Sequence, residues 1–344
     1  MAPIKTQWTR LIRFVAAETS RVHIGEPVDR NLDVGLASHN GQTIKAYEII
    51  GSALDPAAQV TENVLTVRTL LSPVSNEEVK YVRCLGLNYS DHAAEAGLAK
   101  PAFPILFIKP PSSLLGPDAT ITIPAVAQPP KEHLPDYEVE FTIVIGKPAK
   151  DVREEDALDY ILGYTGANDV CDPPRCNLRS LNSILDPRFR SGSTRWPLLS
   201  GVSQKALVST GLIPSPLVRR VLTPMDLRTA DNTNPLGPCL VSASSIPDPQ
   251  QVPLKCVLNG TTVQDGTTAD MIFSVRRTIA FLSQGTTLEP GSLILTGTPK
   301  GVGFVKKPPL YLKDGDKVST WVGGGIGSLY NDVKEERSGG KARL

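Results

Sequence analysis

The sequence predicts an α+β fold that is rich in β-strands, with short helices and a small β-rich module at the N-terminus. Short runs of branched and aromatic apolar residues recur along the chain, and Gly, Pro and Asn turn signals separate them. Helical patterns are few and short. The pair Asn259-Gly260 lies between two β-rich runs and is typical of a hairpin turn.

The composition favours a small-molecule ligand. The 344 residues include 36 Lys and Arg against 35 Asp and Glu, so no net charge attracts nucleic acid or a membrane surface. No apolar run approaches the ~18 residues of a membrane span, and five unclustered cysteines are typical of a reduced protein. These features favour the cytoplasm. Arg10, Arg13 and Arg21 leave mitochondrial import as the weaker alternative.

The elements divide the chain into two units. Residues 1–73 form the predicted N-terminal module, because WTRLIRFV and RVHIG are both β-like, and residues 74–344 form the larger unit. The larger unit begins with a strand, YVRCLGL, and a short helix that Ser90 or Asp91 could cap. Extended segments follow at ILFIK, TITIP and DYEVEF. Residues 153–170 are predicted to form an amphipathic helix that runs into a loop.

Residues 171–234 interrupt this order. They contain scattered Pro, Ser and Arg without a sustained period of 2.0 or 3.6 residues, and we interpret them as an atypical insertion. Two explanations stay open: a genuine lid insertion, or non-coding sequence translated from a mispredicted gene, which the abrupt edges favour. Strands resume at PLGPCLVS, and a helix is predicted at SVRRTIAFLSQ, followed by strands at LILT and in the last thirty residues.

The run DYEVEF carries chemistry as well as structure. In a strand its three carboxylates, Asp136, Glu138 and Glu140, share one face. At roughly 6.5 Å apart, two such charges repel by about 2.5 kcal/mol at an effective dielectric near 20. Water, basic partners or a bound cation must offset this repulsion.

Four stretches in this order resemble the fumarylacetoacetate hydrolase family. They are GLNYSDHAAE at 86–95, DYEVEF at 136–141, GYTGANDV at 163–170, and DMIF followed by LILTGTPKGVG within 270–303. The resemblance implies a mixed β-roll or β-sandwich fold and a homodimer. It also implies a divalent cation, Mg²⁺ with Mn²⁺ or Ca²⁺ as alternatives, and a small dicarbonyl carboxylate substrate.

The resemblance assigns the cation to Glu138, Glu140 and Asp169, and an all-oxygen set of carboxylates suits such a hard cation. A solvated acidic strand edge is the alternative interpretation. Asp136 is then expected to lie behind the ligands or to face solvent.

The resemblance also assigns a water-activating pair to His92 and Glu95, which are neighbours on one helix face. It assigns a substrate-carboxylate contact to Thr298 in the TGTP turn, where a tight turn that needs glycine is the plainer explanation. Tyr89 is left open between a ligand contact and simple packing.

The implied reaction is the metal-dependent hydrolysis of a carbon–carbon bond in an acylpyruvate-like or fumarylacetoacetate-like compound. Decarboxylation or tautomerisation of oxaloacetate needs the same groups and stays an alternative. The family's Arg, Gln and Lys segment after NDV has no match here, since neither Arg175 nor Lys205 has the expected context. A catalytically impaired, metal-binding homologue is therefore the third possibility.

Overall fold

The computed structural model of the protein describes residues 2–125, 134–171 and 230–336. Three α-helices are present there: α1 (Val34–His39), α2 (Ser90–Glu95) and α3 (Val275–Leu282). Sixteen strands are present: β1 (Arg10–Ala16), β2 (Val22–Pro27), β3 (Ile44–Ile50), β4 (Gln59–Leu71), β5 (Val82–Gly86), β6 (Ile105–Lys109), β7 (Leu114–Leu115), β8 (Ile121–Ile123), β9 (Val139–Ile145), β10 (Ile161–Asn168), β11 (Asn234–Ser242), β12 (Pro253–Leu258), β13 (Thr261–Thr267), β14 (Leu293–Leu295), β15 (Lys317–Val322) and β16 (Gly327–Glu335). The predicted β-rich fold with short helices is confirmed.

Two sheets contain these strands. The larger has eleven strands in the order β2-β3-β4-β1-β11-β10-β9-β14-β5-β6, with β7 paired to β11. The smaller has five in the order β13-β12-β15-β16-β8. Strands β9, β10 and β11 are buried along their whole lengths. Alternate side chains of β9 enter two different hydrophobic clusters, one with Phe141 and Ile143 and the other with Val144. The centre of the larger sheet is therefore the core of the protein.

The predicted N-terminal module contains β1 to β4 and α1. Strand β1 pairs with β2 and β4, and its first residues also pair with β11, with Arg10 opposite Val241. The larger sheet therefore runs from this region into the rest of the chain. The boundary at residue 73 stays a prediction.

The amphipathic helix predicted within residues 153–170, ahead of a loop, is wrong. The structure has a short 3₁₀ segment at Glu154–Tyr160, and β10 then begins at Ile161. Residues of β10 pair with β9 on one side and β11 on the other. A strand that is buried on both faces contains a continuous apolar run instead of alternating apolar and polar residues, so its sequence does not distinguish it from a helix. Here the pairing with both neighbouring strands determines that the segment is a strand.

Other local predictions agree with the structure in most respects. Asn259 and Gly260 have φ angles of 50° and 80°, as a tight hairpin between β12 and β13 requires. Helix α2 forms where expected, but its N-cap position is Tyr89 without a side-chain cap bond, so the predicted cap at Ser90 or Asp91 is wrong. The Asp91 side chain instead accepts the backbone N–H of His92 at 2.8 Å.

Most of the predicted insertion, residues 172–229 with Arg175 and Lys205, lies outside the described residues. Its two ends are described. Cys171 is buried and pairs with Asp136, while Asn234 already belongs to β11. The ends of this segment are therefore part of the core. No helix in the described ranges is both long and apolar enough to cross a membrane.

Candidate metal centre and active site

Neighbouring strands bring three carboxylates together. In the β9–β10 pair, Glu140 lies opposite Ala167, and the N–H of Asp169 donates to the carbonyl of Glu138 at 2.9 Å. Residues opposite each other in antiparallel strands direct their side chains to the same face. One carboxylate oxygen from each of Glu138, Glu140 and Asp169 accordingly lies within 4.8 Å of the others.

The negative charge of this cluster favours the binding of a cation. Glu140 and Asp169 are fully buried, and burial, followed by the charges of Asp169 and Glu138, raises the pKa of Glu140 well above its ordinary value. Lys109 is also buried, and its ammonium lies 2.6 Å from Asp169. Burial alone would lower the pKa of Lys109, but the adjacent carboxylate leaves it raised. When all three carboxyl groups are ionised, one ammonium leaves two negative charges, which a divalent cation would neutralise.

The hydrogen bonds of the cluster also leave room for a cation. Glu140 Oε2 accepts the N–H of Gly297 at 2.8 Å, and Asp169 Oδ1 accepts Lys109. The other oxygen of each carboxylate, Glu140 Oε1 and Asp169 Oδ2, is buried without a hydrogen-bond partner among the described residues. Buried carboxylate oxygens without a partner are costly, and a hard divalent cation binds such oxygens. The three side chains therefore fit a divalent cation.

Asp136 does not face solvent, contrary to one of the two expectations for it. It is fully buried, and its carboxylate accepts the N–H groups of Gly303 at 2.7 Å and Phe304 at 2.8 Å. Burial raises its pKa to about 7, although these hydrogen bonds oppose the shift. Asp136 precedes β9, which begins at Val139, and it anchors the glycine-rich turn behind the carboxylate cluster.

His92 and Glu95 pair on α2 as predicted. His92 Nδ1 lies 3.2 Å from Glu95 Oε1, and the imidazole packs edge-on against the Phe304 ring. The same Glu95 oxygen accepts the N–H of Gly301 at 2.7 Å. With the proton on Nδ1 directed at Glu95, Nε2 has a free lone pair and is able to accept a proton.

The turn at residues 296–304 connects the two groups of residues. Its backbone N–H groups donate to Glu140 from Gly297, to Glu95 from Gly301 and to Asp136 from Gly303. Gly301 has a φ of 105°, and a Cβ there would overlap the carbonyl oxygen of Val263. Glycine is thus required where the turn approaches β13. The imidazole pair and the carboxylate cluster are held by one short segment of chain.

Tyr89 and Thr298 are both buried at this site. The Tyr89 hydroxyl has no hydrogen-bond partner in the described part of the chain, and burial raises its pKa well above the ordinary value. The Thr298 hydroxyl donates to the carbonyl of Val139 at 2.9 Å and accepts Gln264 Nε2 at 2.8 Å. Its hydrogen is therefore already used within the fold. Roles of both residues in substrate binding stay predictions.

Three residues at this site were missed in the sequence. Lys109 ends the apolar strand ILFIK, and a lone lysine in such a strand is a signal for a buried ion pair. Gln264 accepts the N–H of Val139 at 3.0 Å and donates to Thr298 and Pro299, so it joins β13 to β9 and the turn. The Asn88 amide donates to the carbonyl of Thr296 at 2.7 Å. The partners of Gln264 and Asn88 are distant in sequence, and no local pattern identifies them.

The family model described as "Fumarylacetoacetate (FAA) hydrolase C-terminal" matches residues 81–195 and 217–334 of this chain. The caffeoylpyruvate hydrolase of Neonothopanus nambi is 51% identical over 340 residues, which cover 98% of this chain and 97% of the relative. The mitochondrial oxaloacetate tautomerase Fahd2a of Rattus norvegicus is 34% identical over 321 residues, 90% of this chain and 87% of the relative.

Solved structures give the same result for the fold. The crystal structure of 2-hydroxyhepta-2,4-diene-1,7-dioate isomerase from Mycobacterium marinum superposes with a TM-score of 0.64 at 29% identity, covering 96% of this chain and all of that one. The fumarylacetoacetate hydrolase of Exiguobacterium antarcticum superposes with a TM-score of 0.62 at 27% identity and 95% coverage of this chain.

Proposed function

The chain belongs to the fumarylacetoacetate hydrolase family, and on this premise we propose that it is a divalent-cation-dependent hydrolase of acylpyruvate-type 1,3-dicarbonyl carboxylates. The observation that carries the proposal is the cluster of Glu138, Glu140 and Asp169, the last two of them buried, which with all three carboxylates ionised has two negative charges beyond its ion pair with Lys109. The relative named caffeoylpyruvate hydrolase supports the same substrate class.

The three carboxylates would hold the cation, with Mg²⁺ as the first candidate and Mn²⁺ or Ca²⁺ as alternatives. When bound, a divalent cation supplies polarisation of a carbonyl group and stabilisation of negative charge on oxygen. Lys109 and Gly297 keep the carboxylates oriented through their hydrogen bonds to Asp169 and Glu140.

His92 is the proposed general base, and Glu95 is its positioning residue. His92 Nε2 accepts a proton from water, and the water oxygen bonds to the acyl carbonyl carbon. The bond from that carbon to the neighbouring methylene carbon then breaks, and the methylene carbon takes a proton, which gives a carboxylic acid and pyruvate. Gly301 holds Glu95 against the imidazole throughout.

Tyr89 and the turn at Thr298 are the proposed contacts for the substrate. The Tyr89 hydroxyl lacks a partner in the described residues and can donate to a ligand oxygen. Because the Thr298 hydroxyl hydrogen goes to Val139, we assign a contact with the substrate carboxylate to the backbone of this turn.

Tautomerisation of oxaloacetate is the second candidate, and the rat relative named an oxaloacetate tautomerase favours it. Tautomerisation uses the same base to move one proton and consumes no water. Oxygen-18 water therefore separates the two candidates. Hydrolysis places one ¹⁸O atom in the released carboxylic acid, whereas tautomerisation releases no acid.

The experiment incubates purified protein with caffeoylpyruvate, acetylpyruvate or oxaloacetate in ¹⁸O water, with Mg²⁺ or with EDTA. Ultraviolet absorbance follows the enol of each substrate, and mass spectrometry identifies the products. We expect Mg²⁺-dependent loss of an acylpyruvate with a labelled acid as product. A protein that binds the cation but changes none of these substrates would instead be the impaired homologue considered from sequence.

The oligomeric state and the cellular compartment of the protein are also proposed. A homodimer is proposed from family membership and would give twice the chain mass of 37.0 kDa in light scattering. The cytoplasm is the proposed compartment, and the mitochondrion, in which the rat relative is named, is the alternative. A fluorescent fusion to the full chain locates the protein, and mitochondrial fluorescence would contradict the cytoplasmic assignment.

A further inference from the structure

Asn234 lies beside the carboxylate cluster, although it is far from it in sequence. In the β10–β11 pair Ala167 is opposite Leu236, and the N–H of Val170 donates to the carbonyl of Thr233 at 3.1 Å. Both contacts fix the same register, which puts Asn234 opposite Asp169. Opposite residues of antiparallel strands have Cα atoms about 4.5–5.5 Å apart.

The side chain of Asn234 is on the same face as the cluster. Glu138, Asp169 and Asn234 form one row across three adjacent strands, and Glu140, Ala167 and Leu236 form the next row. Residues two apart along a strand direct their side chains to the same face, so both rows share one face, on which Ala167 and Leu236 of the second row enter the same buried cluster. The Lys109 ammonium, which bonds to Asp169, also approaches the Thr233 carbonyl at 3.4 Å.

Within the described ranges of the chain, the amide of Asn234 has no partner of its own. The residue is fully buried, and neither Oδ1 nor Nδ2 has a hydrogen bond among the described residues. Two other buried asparagines donate within the fold: the Asn331 amide donates to the carbonyls of Gly116 and Ala119, and the Asn88 amide donates to the carbonyl of Thr296. A buried amide whose oxygen and nitrogen both lack a hydrogen bond destabilises the folded chain, and a leucine side chain at the same position would pack without that cost. The amide therefore needs a function.

We infer that Asn234 is a positioning residue for the divalent cation, binding through its amide a water molecule that the ion retains. A hard cation on three carboxylates keeps waters in its shell. In a buried site those waters need protein partners, and Asn234 offers both an acceptor and donors one strand away from Asp169. This inference rests on the proposed function only in requiring that the cluster binds a cation.

The test compares Asn234→Leu with wild type and with Ser292→Ala. Ser292 is the control, because it is buried and its hydroxyl also lacks a described partner, but its carbonyl accepts the N–H of Ile145 at 3.0 Å, at the opposite end of β9 from Glu138. Each protein is stripped with EDTA, its melting temperature is measured, and Mn²⁺ binding is measured by titration calorimetry. Loss of a partner in the outer shell weakens metal affinity 10- to 100-fold in comparable sites. We therefore expect about tenfold weaker Mn²⁺ binding for Asn234→Leu and unchanged binding for Ser292→Ala.

The stripped proteins distinguish positioning from structural support. If Asn234 serves the ion, Asn234→Leu melts at or above the wild-type temperature without metal, because the unpaired amide is gone. Asn234→Asp gives a second readout and does not depend on how well leucine packs. The added carboxylate of Asn234→Asp should lower the melting temperature of the stripped variant. Addition of Mn²⁺ should then raise the melting temperature of Asn234→Asp by more than it raises that of wild type.

Two results would overturn the inference. Wild-type Mn²⁺ affinity in both Asn234 variants would remove Asn234 from the site and leave the proposed function intact. Absence of Mn²⁺ binding in wild type would refute the cation site itself, and with it both the inference and the cation-dependent function.

Discussion

Lys109→Met tests the ion pair at the base of the carboxylate cluster. Lys109 and Asp169 are both fully buried and 2.6 Å apart, and the ammonium also approaches the carbonyls of Val170 and Thr233. Methionine keeps the approximate shape of the side chain but removes the charge and all three contacts. In the cation-free protein the Asp169 carboxylate would then be buried beside Glu138 and Glu140 without an ammonium.

Removing one partner of a buried pair costs about 3–5 kcal/mol, because the other charge stays buried without compensation. The entropy of unfolding, about 2.1 cal/mol/K per residue, amounts to roughly 0.7 kcal/mol/K for 344 residues. The expected fall in melting temperature is therefore about 4–7 °C in EDTA. Excess Mn²⁺ should recover part of this loss, since a cation on the cluster replaces the missing charge.

Differential scanning calorimetry of the stripped proteins measures the effect, with Lys255→Met as the matched control. Lys255 and Asp265 form an exposed pair at 3.4 Å, and such pairs contribute little to stability. The control should melt within about 1.5 °C of wild type. Equal shifts for Lys109→Met and Lys255→Met would refute the buried pair as a source of stability and would place Asp169 in contact with solvent.

Three further predictions concern catalysis and pH. His92→Ala should lower turnover of an acylpyruvate by about 10²- to 10⁴-fold and leave Mn²⁺ affinity near wild type; equal losses of both would contradict its role as base. Gly301→Ala should lower turnover because the added Cβ displaces the N–H that holds Glu95, whereas Gly285→Ala, which has no atom within 4 Å of the added Cβ, should keep full turnover. Burial raises the pKa of Asp136 from 3.8 to about 7, so this carboxyl binds its proton more tightly in the folded chain than in the unfolded one. The cation-free protein should therefore lose stability as pH rises from about 4 to about 7, by roughly 4 kcal/mol at most from this group. Urea unfolding in EDTA measures this, and greater stability at pH 8 than at pH 5 would contradict the sign.

The carboxylate cluster was accessible from sequence because its information is local. Alternation in DYEVEF puts Glu138 and Glu140 on one face wherever the strand lies, and the family resemblance of the NDV segment supplied Asp169. The pair of His92 and Glu95 follows from helical spacing in the same way. The glutamate face and the helical pair thus need only a short segment with a known period, whereas Asp169 and the roles of these residues depend on the family resemblance.

The parts that sequence did not predict depend on distant partners. Strand β10 resembles a helix until it is paired on both sides, and Asp136 resembles a surface group until the turn at Gly303 covers it. Gln264 and Asn234 acquire their positions from register between strands that are far apart in the chain. The interpretation of residues 171–234 stays a prediction, which the transcript sequence tests directly.

Anomalous diffraction from a crystal soaked in Mn²⁺ and recorded at the manganese edge tests the cation site most directly. The structure predicts one strong peak bound by an oxygen from each of Glu138, Glu140 and Asp169, at roughly 2.0–2.3 Å as is usual for small divalent cations. A soaked crystal without a peak between these side chains, or with its strongest peak elsewhere on the chain, would contradict the proposed cation-dependent chemistry.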